Sequence, residues 1–151
     1  MKIRVDYVTN SSSSSFILGF NNSEEIAEII RNELPSFWSE KAINRVISDV
    51  EEGITSKEAA IDLYKNDIAY WRWHFNGKSY WDLTEEEIKS QEWIEYKENR
   101  INELAHNCVE ELDKYNIISI VEYEDHTDFG STMEHDIMPG MENTIYRISH
   151  H

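Results

Sequence analysis

Apolar positions recur along this chain with two different periods, and the switches between them mark out its elements. In "KIRVDYV", Ile3, Val5 and Tyr7 alternate with Lys2, Arg4 and Asp6. That is the period of a half-buried strand. "SFILGF" repeats the pattern, with Phe16, Leu18 and Phe20 on one face. Between them lie Thr9, Asn10 and the run Ser11 to Ser15. Asn and Ser side chains bond their own backbone in turns. The stretch therefore predicts a hairpin, with the serines as an ordered turn and strand start.

Helical spacing fills the middle. Ser23 is placed to cap a first helix with Glu24 and Glu25 in its first turn, Ile26, Ile29 and Ile30 as its stripe and Pro35 at its end. A second helix over about 39–52 has Ile43, Val46, Ile47 and Val50 in register and stops at Gly53. "TSKE" reads as a capping box from Thr55 to Glu58, opening a third helix towards Phe75, and "NGK" as a turn. A second capping box, Thr84 to Glu87, opens a long helix reaching Tyr115, with Ile94, Ile101, Leu104, Cys108 and Leu112 facing the core. "NIISIVEYE" and "MENTIYRIS" return to strand patterning. "DHTDFGSTMEHDIMPG" between them reads as a polar loop with one short helix.

These elements predict an α+β domain over residues 1–151. About four antiparallel strands come from the two chain ends, and about four helices from the middle cover one face of the sheet. The chain ends then become neighbours, and the serine segment comes within reach of the C-terminal loop.

Composition sharpens the picture mainly through charge. Thirty acidic against fourteen basic residues leave a formal net charge of −16. With no basic cluster, direct nucleic-acid binding and attraction to anionic membranes are not expected. No apolar run is long enough for a membrane span, and a cytoplasmic protein is expected. The single cysteine, Cys108, excludes an internal disulfide and reads as a small core residue. On the long helix Glu85, Glu92, Glu95, Glu98 and Glu103 form an acidic surface.

Candidate chemistry gathers late in the chain. No lysine or arginine occurs from Tyr115 to Tyr146, while four of the six histidines fall in the last 26 residues. Neutral imidazole beside anionic oxygen is the donor set of a mixed divalent-metal site. The candidate ligands are His126, Asp128, Glu134, His135 and His150. No HExxH spacing supports them, and His150 and His151 also fit the stub of an affinity tag. Ser12, Ser13 and Ser14 are candidate nucleophiles with His135 as base, although no G-x-S-x-G elbow is present. "YWRWHFNGKSYW" packs six rings into twelve residues. Core packing at a helix end is its simpler reading, and anchoring of a partner the sharper one.

"MKIRVDYVTNSSSSSFIL" resembles the N-termini of a group of small proteins of Firmicutes and their phages. Those begin with a strand followed by Asn-Ser-Ser-Ser-Ser-Ser-Phe, here Asn10, Ser11 to Ser15 and Phe16. A late glutamate–histidine pair, Glu134 with His135, and a serine–histidine ending, Ser149 with His150, fit the same group. The resemblance covers little beyond the two chain ends and brings no assigned activity. It implies that the serine segment is a signature and that the source is a mobile element.

Two functional expectations follow. The first is a small acidic binding or inhibitory protein that occupies a basic groove on a host protein, in the manner of a nucleic-acid mimic with an anti-defence role. The second is an enzyme or ligand sensor, with divalent metal as a possible cofactor. Its pocket would join Asn10 and Ser11 to Ser15 with Glu134 and His150.

Overall fold

A computed structural model describes residues 13–150 of the chain, apart from the His150 side chain. The predicted strand Lys2–Val8, together with Asn10, Ser11, Ser12 and His151, lies outside the described residues. The fold is α+β, built on a four-stranded antiparallel sheet. In chain order the elements are β1 (Ser13–Phe20), α1 (Glu25–Glu33), α2 (Glu40–Glu52), β2 (Ile54–Thr55) and α3 (Lys57–Asn66). A two-residue hairpin follows, β3 (His74–Phe75) with β4 (Lys78–Ser79). Then come α4 (Glu85–Ile88), α5 (Gln91–Leu112), β5 (Ile117–Glu124), α6 (Asp128–Thr132) and β6 (Thr144–His150).

The sheet order is β2-β5-β1-β6. β1 pairs along its length with β5, from Ser13 opposite Glu124 to Phe20 opposite Ile117. On its other side it pairs with β6, from Ser13 opposite His150 to Leu18 opposite Thr144, with a bulge after Ile17. Both edges of β1 are therefore paired, and the hairpin that alternation predicts with a preceding strand falls on residues outside the described ones. The fourth described strand comes instead from the middle of the chain. It is the two-residue β2, seated against Ile118 and Ser119. Gly53 leads into it, and a Cβ there would run into the Ile120 carbonyl. Only a residue without a side chain lets α2 come so close to β5.

Helices cover both faces of the sheet, not one. Phe16, Leu18 and Phe20 of β1, with Val121 and Tyr123 of β5, pack against Ile26, Ile30, Val46 and Val50 of α1 and α2. Ile17, Ile118 and Ile148 point the other way, against Ala60 of α3 and Cys108 and Leu112 of α5. This explains why "SFILGF" is continuously apolar. A central strand covered on both faces has no solvent side to alternate towards.

Several predicted boundaries shift for local reasons. The α1 start is held by Asn22, whose Oδ1 accepts from the Glu25 N–H at 3.0 Å, and not by Ser23. Ser56, one residue after the predicted Thr55, caps α3 by accepting from Ala59 N–H. α3 ends at Asn66, well short of Phe75. Asn76 and Gly77 both adopt positive φ, 52° and 77°, and this two-residue turn closes β3 onto β4. The capping box at Thr84 forms as expected but starts a single turn. At Ser90 the chain caps afresh and begins α5. Ile94 is consequently exposed, while its neighbour Trp93 is buried.

The segment between β5 and β6 departs furthest from its polar reading. α6 runs on into a π-helical turn, Met133–Ile137, and then a tighter turn, Met138–Gly140. Met133, Met138 and Met141 from this stretch are buried in the first core. Methionine fills such irregular gaps well, and apolar residues spaced for wider winding escape a search for regular helical periodicity.

Candidate functional site

β1 and β6 bring the serine segment beside the segment that follows β5, and the two meet at a buried carboxylate. Glu134, in the π-helical turn, is wholly buried. Ser14 of β1, also wholly buried, donates from Oγ to Glu134 Oε1 at 2.8 Å. Arg147, on the same face of neighbouring β6, donates from Nη2 to Oε1 at 3.4 Å and from Nε to Ser14 Oγ at 3.2 Å. The guanidinium lies 5.8 Å from the centre of the Phe16 ring, next along β1 on that face. Antiparallel register puts Arg147 opposite Phe16, so its reach back to Ser14 is diagonal. The arrangement supplies Oε1 with a neutral and a cationic donor, as a buried charge requires.

Among the described residues, Oε2 of the same carboxylate has no hydrogen-bond partner. His135 Nε2 lies 3.6 Å from it, on a side chain that is 46% exposed. Asp125, just beyond β5, completes a group whose ligand atoms with Glu134 and His135 all lie within 4.8 Å of one another. Glu134 and His135 are candidates that the sequence pattern names. Asp125 is not, although it stands in the same acidic stretch. Only the end of β5 folding back over the π-helical turn makes it a neighbour.

The other candidates go elsewhere. His126 pairs with Glu124, Nδ1 to Oε2 at 2.8 Å, on an exposed surface. Asp128 sits exposed in the first turn of α6. Among the described residues, neither belongs to the cluster around Glu134. The backbone of His150 pairs with Ser13. Ser14 is held between Glu134 and Arg147, so its hydroxyl proton goes to a carboxylate and not to a histidine base. That geometry does not make Ser14 the nucleophile of a serine–histidine pair. Ser13 is half-buried at the start of β1.

On the far edge of β5 a groove of about 450 Å³ is lined by Arg45, Asp49 and Glu52 from α2 and by Glu122, Tyr123 and Phe129. Tyr123 donates its hydroxyl to Asp49 Oδ2 at 2.9 Å, and Arg45 stacks 3.8 Å from the Phe129 ring centre. Burial pushes the Tyr123 phenol far above its ordinary range, and Asp49 adds to the shift.

The aromatic stretch does not form a core. None of the residues from 68 to 82 is fully buried. Trp81 is 75% exposed and Trp71 40%. Their rings are joined through Tyr70 and Tyr80, with centroids 5.3 to 5.5 Å apart, and Tyr80 leans on buried Trp93 of α5 at 5.8 Å. Lys97 and Arg100 lie over the rings of Tyr70 and Trp73. They are the only basic residues of α5 apart from His106. Glu85, Glu92, Glu95, Glu98 and Glu103 all face solvent. Glu87 accepts from Lys78 Nζ at 2.8 Å and from the Thr84 N–H at 2.7 Å. Lys78 and the Thr84 N–H hold its carboxylate below the usual range.

Among the described residues, no helix is long and apolar enough to cross a membrane. No family model matches the chain, and neither a curated protein nor a solved structure matches it.

Proposed function

We propose that the protein is a small acidic binding protein that docks on the basic surface of a partner protein. The observation that carries this reading is the ladder Trp71–Tyr70–Tyr80–Trp81. It is left open to solvent beside the acidic residues Asp82, Glu85, Glu86 and Glu92. Solvent-exposed tryptophans set on a rigid base are the side chains that anchor interfaces, and a charged rim gives register and association rate. Six glutamates on α5 against Lys97 and Arg100 make its field negative. The net charge of −16 extends that field over the molecule. A basic groove that otherwise takes nucleic acid is the complementary partner, and a phage or mobile-element product occupying such a groove would block a host defence protein.

The test is capture of host proteins on the immobilised chain, with identification of what is retained. Retained proteins should carry basic grooves and elute as salt rises from about 50 to 500 mM, because surface charge pairing is screened on that scale. Trp81→Ala should weaken capture on the order of 10-fold or more, as loss of an anchor does. Capture of nothing at low salt, or capture that Trp81→Ala leaves intact, rules the reading out.

A further inference from the structure

We propose that Asp125, Glu134 and His135 form a binding site for a single divalent transition-metal ion. Acidic groups alone would not carry this, since exposed carboxylates cluster on many surfaces. What distinguishes the cluster is Glu134. Its side chain is wholly buried, yet among the described residues Oε2 has no hydrogen-bond partner while Oε1 has two donors. A buried carboxylate oxygen left bare is costly, and proteins seldom keep one without a use for it. That oxygen lies 3.6 Å from the imidazole Nε2 of His135.

The dimensions suit an ion. Zinc-type bonds to carboxylate oxygen and imidazole nitrogen are about 2.0 to 2.2 Å, so ligand atoms across an ion stand at most roughly 4.4 Å apart. The ligand atoms here lie within 4.8 Å of one another. A contraction of a few tenths of an ångström closes the set, and the half-exposed His135 side chain has room to provide it. The donors are two carboxylates and one imidazole. That set selects borderline ions such as zinc, manganese(II) or ferrous iron, over calcium, which prefers oxygen alone, and copper(I), which prefers sulfur.

The surroundings fit a ligand sphere with support behind it. Ser14 and Arg147 fix Oε1 and so orient the carboxylate, the part that outer hydrogen bonds play around bound metals. Glu134 and His135 are successive residues, which a regular helix would point about 100° apart. They lie in the π-helical turn, a departure from regular winding that recurs at functional sites. Exposure of His135 leaves one side of the site open to solvent, for ion entry and for further ligands.

The experiment is titration of chelator-stripped protein with zinc and manganese(II) by calorimetry, repeated with cobalt(II) followed by absorbance. The full chain is compared with His135→Ala, Glu134→Gln and the double variant His150→Ala/His151→Ala. Glu134→Gln keeps an oxygen for Ser14 and Arg147, and circular dichroism checks each fold. His135 is exposed, so His135→Ala decides the matter alone if Glu134→Gln does not fold. The expected result is one ion per chain. Affinity should fall on the order of 10-fold or more in His135→Ala and Glu134→Gln, and stay unchanged in the double variant. Absence of binding to the unaltered chain overturns the proposal. So does equal binding by His135→Ala, or a loss confined to the double variant, which would place the ion on the chain-end histidines. None of these residues belongs to the aromatic ladder, so this outcome and that of the docking test are independent.

Discussion

Among the described residues, Glu134 is the charged side chain that the fold buries completely. Its Oε1 is shared by Ser14 and Arg147, and Arg147 also holds Ser14, so the three side chains stand or fall together. Ser14→Ala should remove one donor from a buried carboxylate and leave the Arg147 Nε without its acceptor. The expected loss is about 1–3 kcal/mol of stability, read as a lower urea midpoint with an unchanged slope. A Ser13→Ala control, at a half-buried position, should move the midpoint far less. A midpoint unchanged in Ser14→Ala would mean that Arg147 alone satisfies Oε1. The residue types at this site were legible in the sequence: a serine signature, a glutamate–histidine pair and an excess of late acids. Which serine, and which additional acid, was not legible. Ser14 is singled out only by the register of β1 against β6, and Asp125 only by the path of the chain after β5.

At the scale of elements, local signals placed some boundaries and missed others. Ser39, Thr84 and the stripe Ile43, Val46, Ile47, Val50 act as their types and spacing predict. The break at Ser90 was missed because nothing in "EEEIKSQEW" forbids continuing a helix. Serine is tolerated there, and only its use as a second cap divides α4 from α5. Ser90 Oγ accepts from the Trp93 N–H at 3.2 Å and donates to the Glu87 carbonyl at 2.6 Å. Ser90→Ala should therefore cost about 1 kcal/mol. Because Trp93 supports the aromatic ladder, the change should also shift and broaden tryptophan fluorescence before global unfolding. A loss of stability with unaltered fluorescence would separate the cap from the ladder. The hairpin at Asn76 and Gly77 shows the opposite case. The dipeptide announces its turn, but strands of two residues are too short to leave a periodic trace.

For the whole molecule, alkaline pH bears on both cores, since burial raises the Tyr123 phenol of the first and three groups of the second. Around Cys108 the second core holds Tyr64 and Tyr146 with ring centroids 4.8 Å apart. Burial pushes the Cys108 thiol above its ordinary value of 9.0 and Tyr64 above 10.0. Burial, with Cys108 and Tyr64 beside it, pushes Tyr146 up to about 12. Each group is neutral when protonated and ionises more readily unfolded than folded. Their contribution is complete below about pH 9 and is lost as pH rises from 9 towards 12, because the unfolded chain releases protons that the fold retains. Urea midpoints measured across that range should fall, and Tyr146→Phe should flatten the decline above pH 10. A flat profile for the unaltered chain would show that these groups do not govern alkaline stability. The sequence by itself determined the α+β class, the presence of a strand at "SFILGF", most helix stripes and the negative charge. Those depend on composition and on periods only a few residues long. The tertiary structure alone decided that helices cover both faces, that the strand after the serine signature lies at the centre, and that an aromatic stretch readable as core stays in solvent. It also decided that, among the described residues, Glu134 is buried with an oxygen that lacks a hydrogen-bond partner. Each of these follows from which distant segments share a strand edge, and long-range pairing leaves no local period to read.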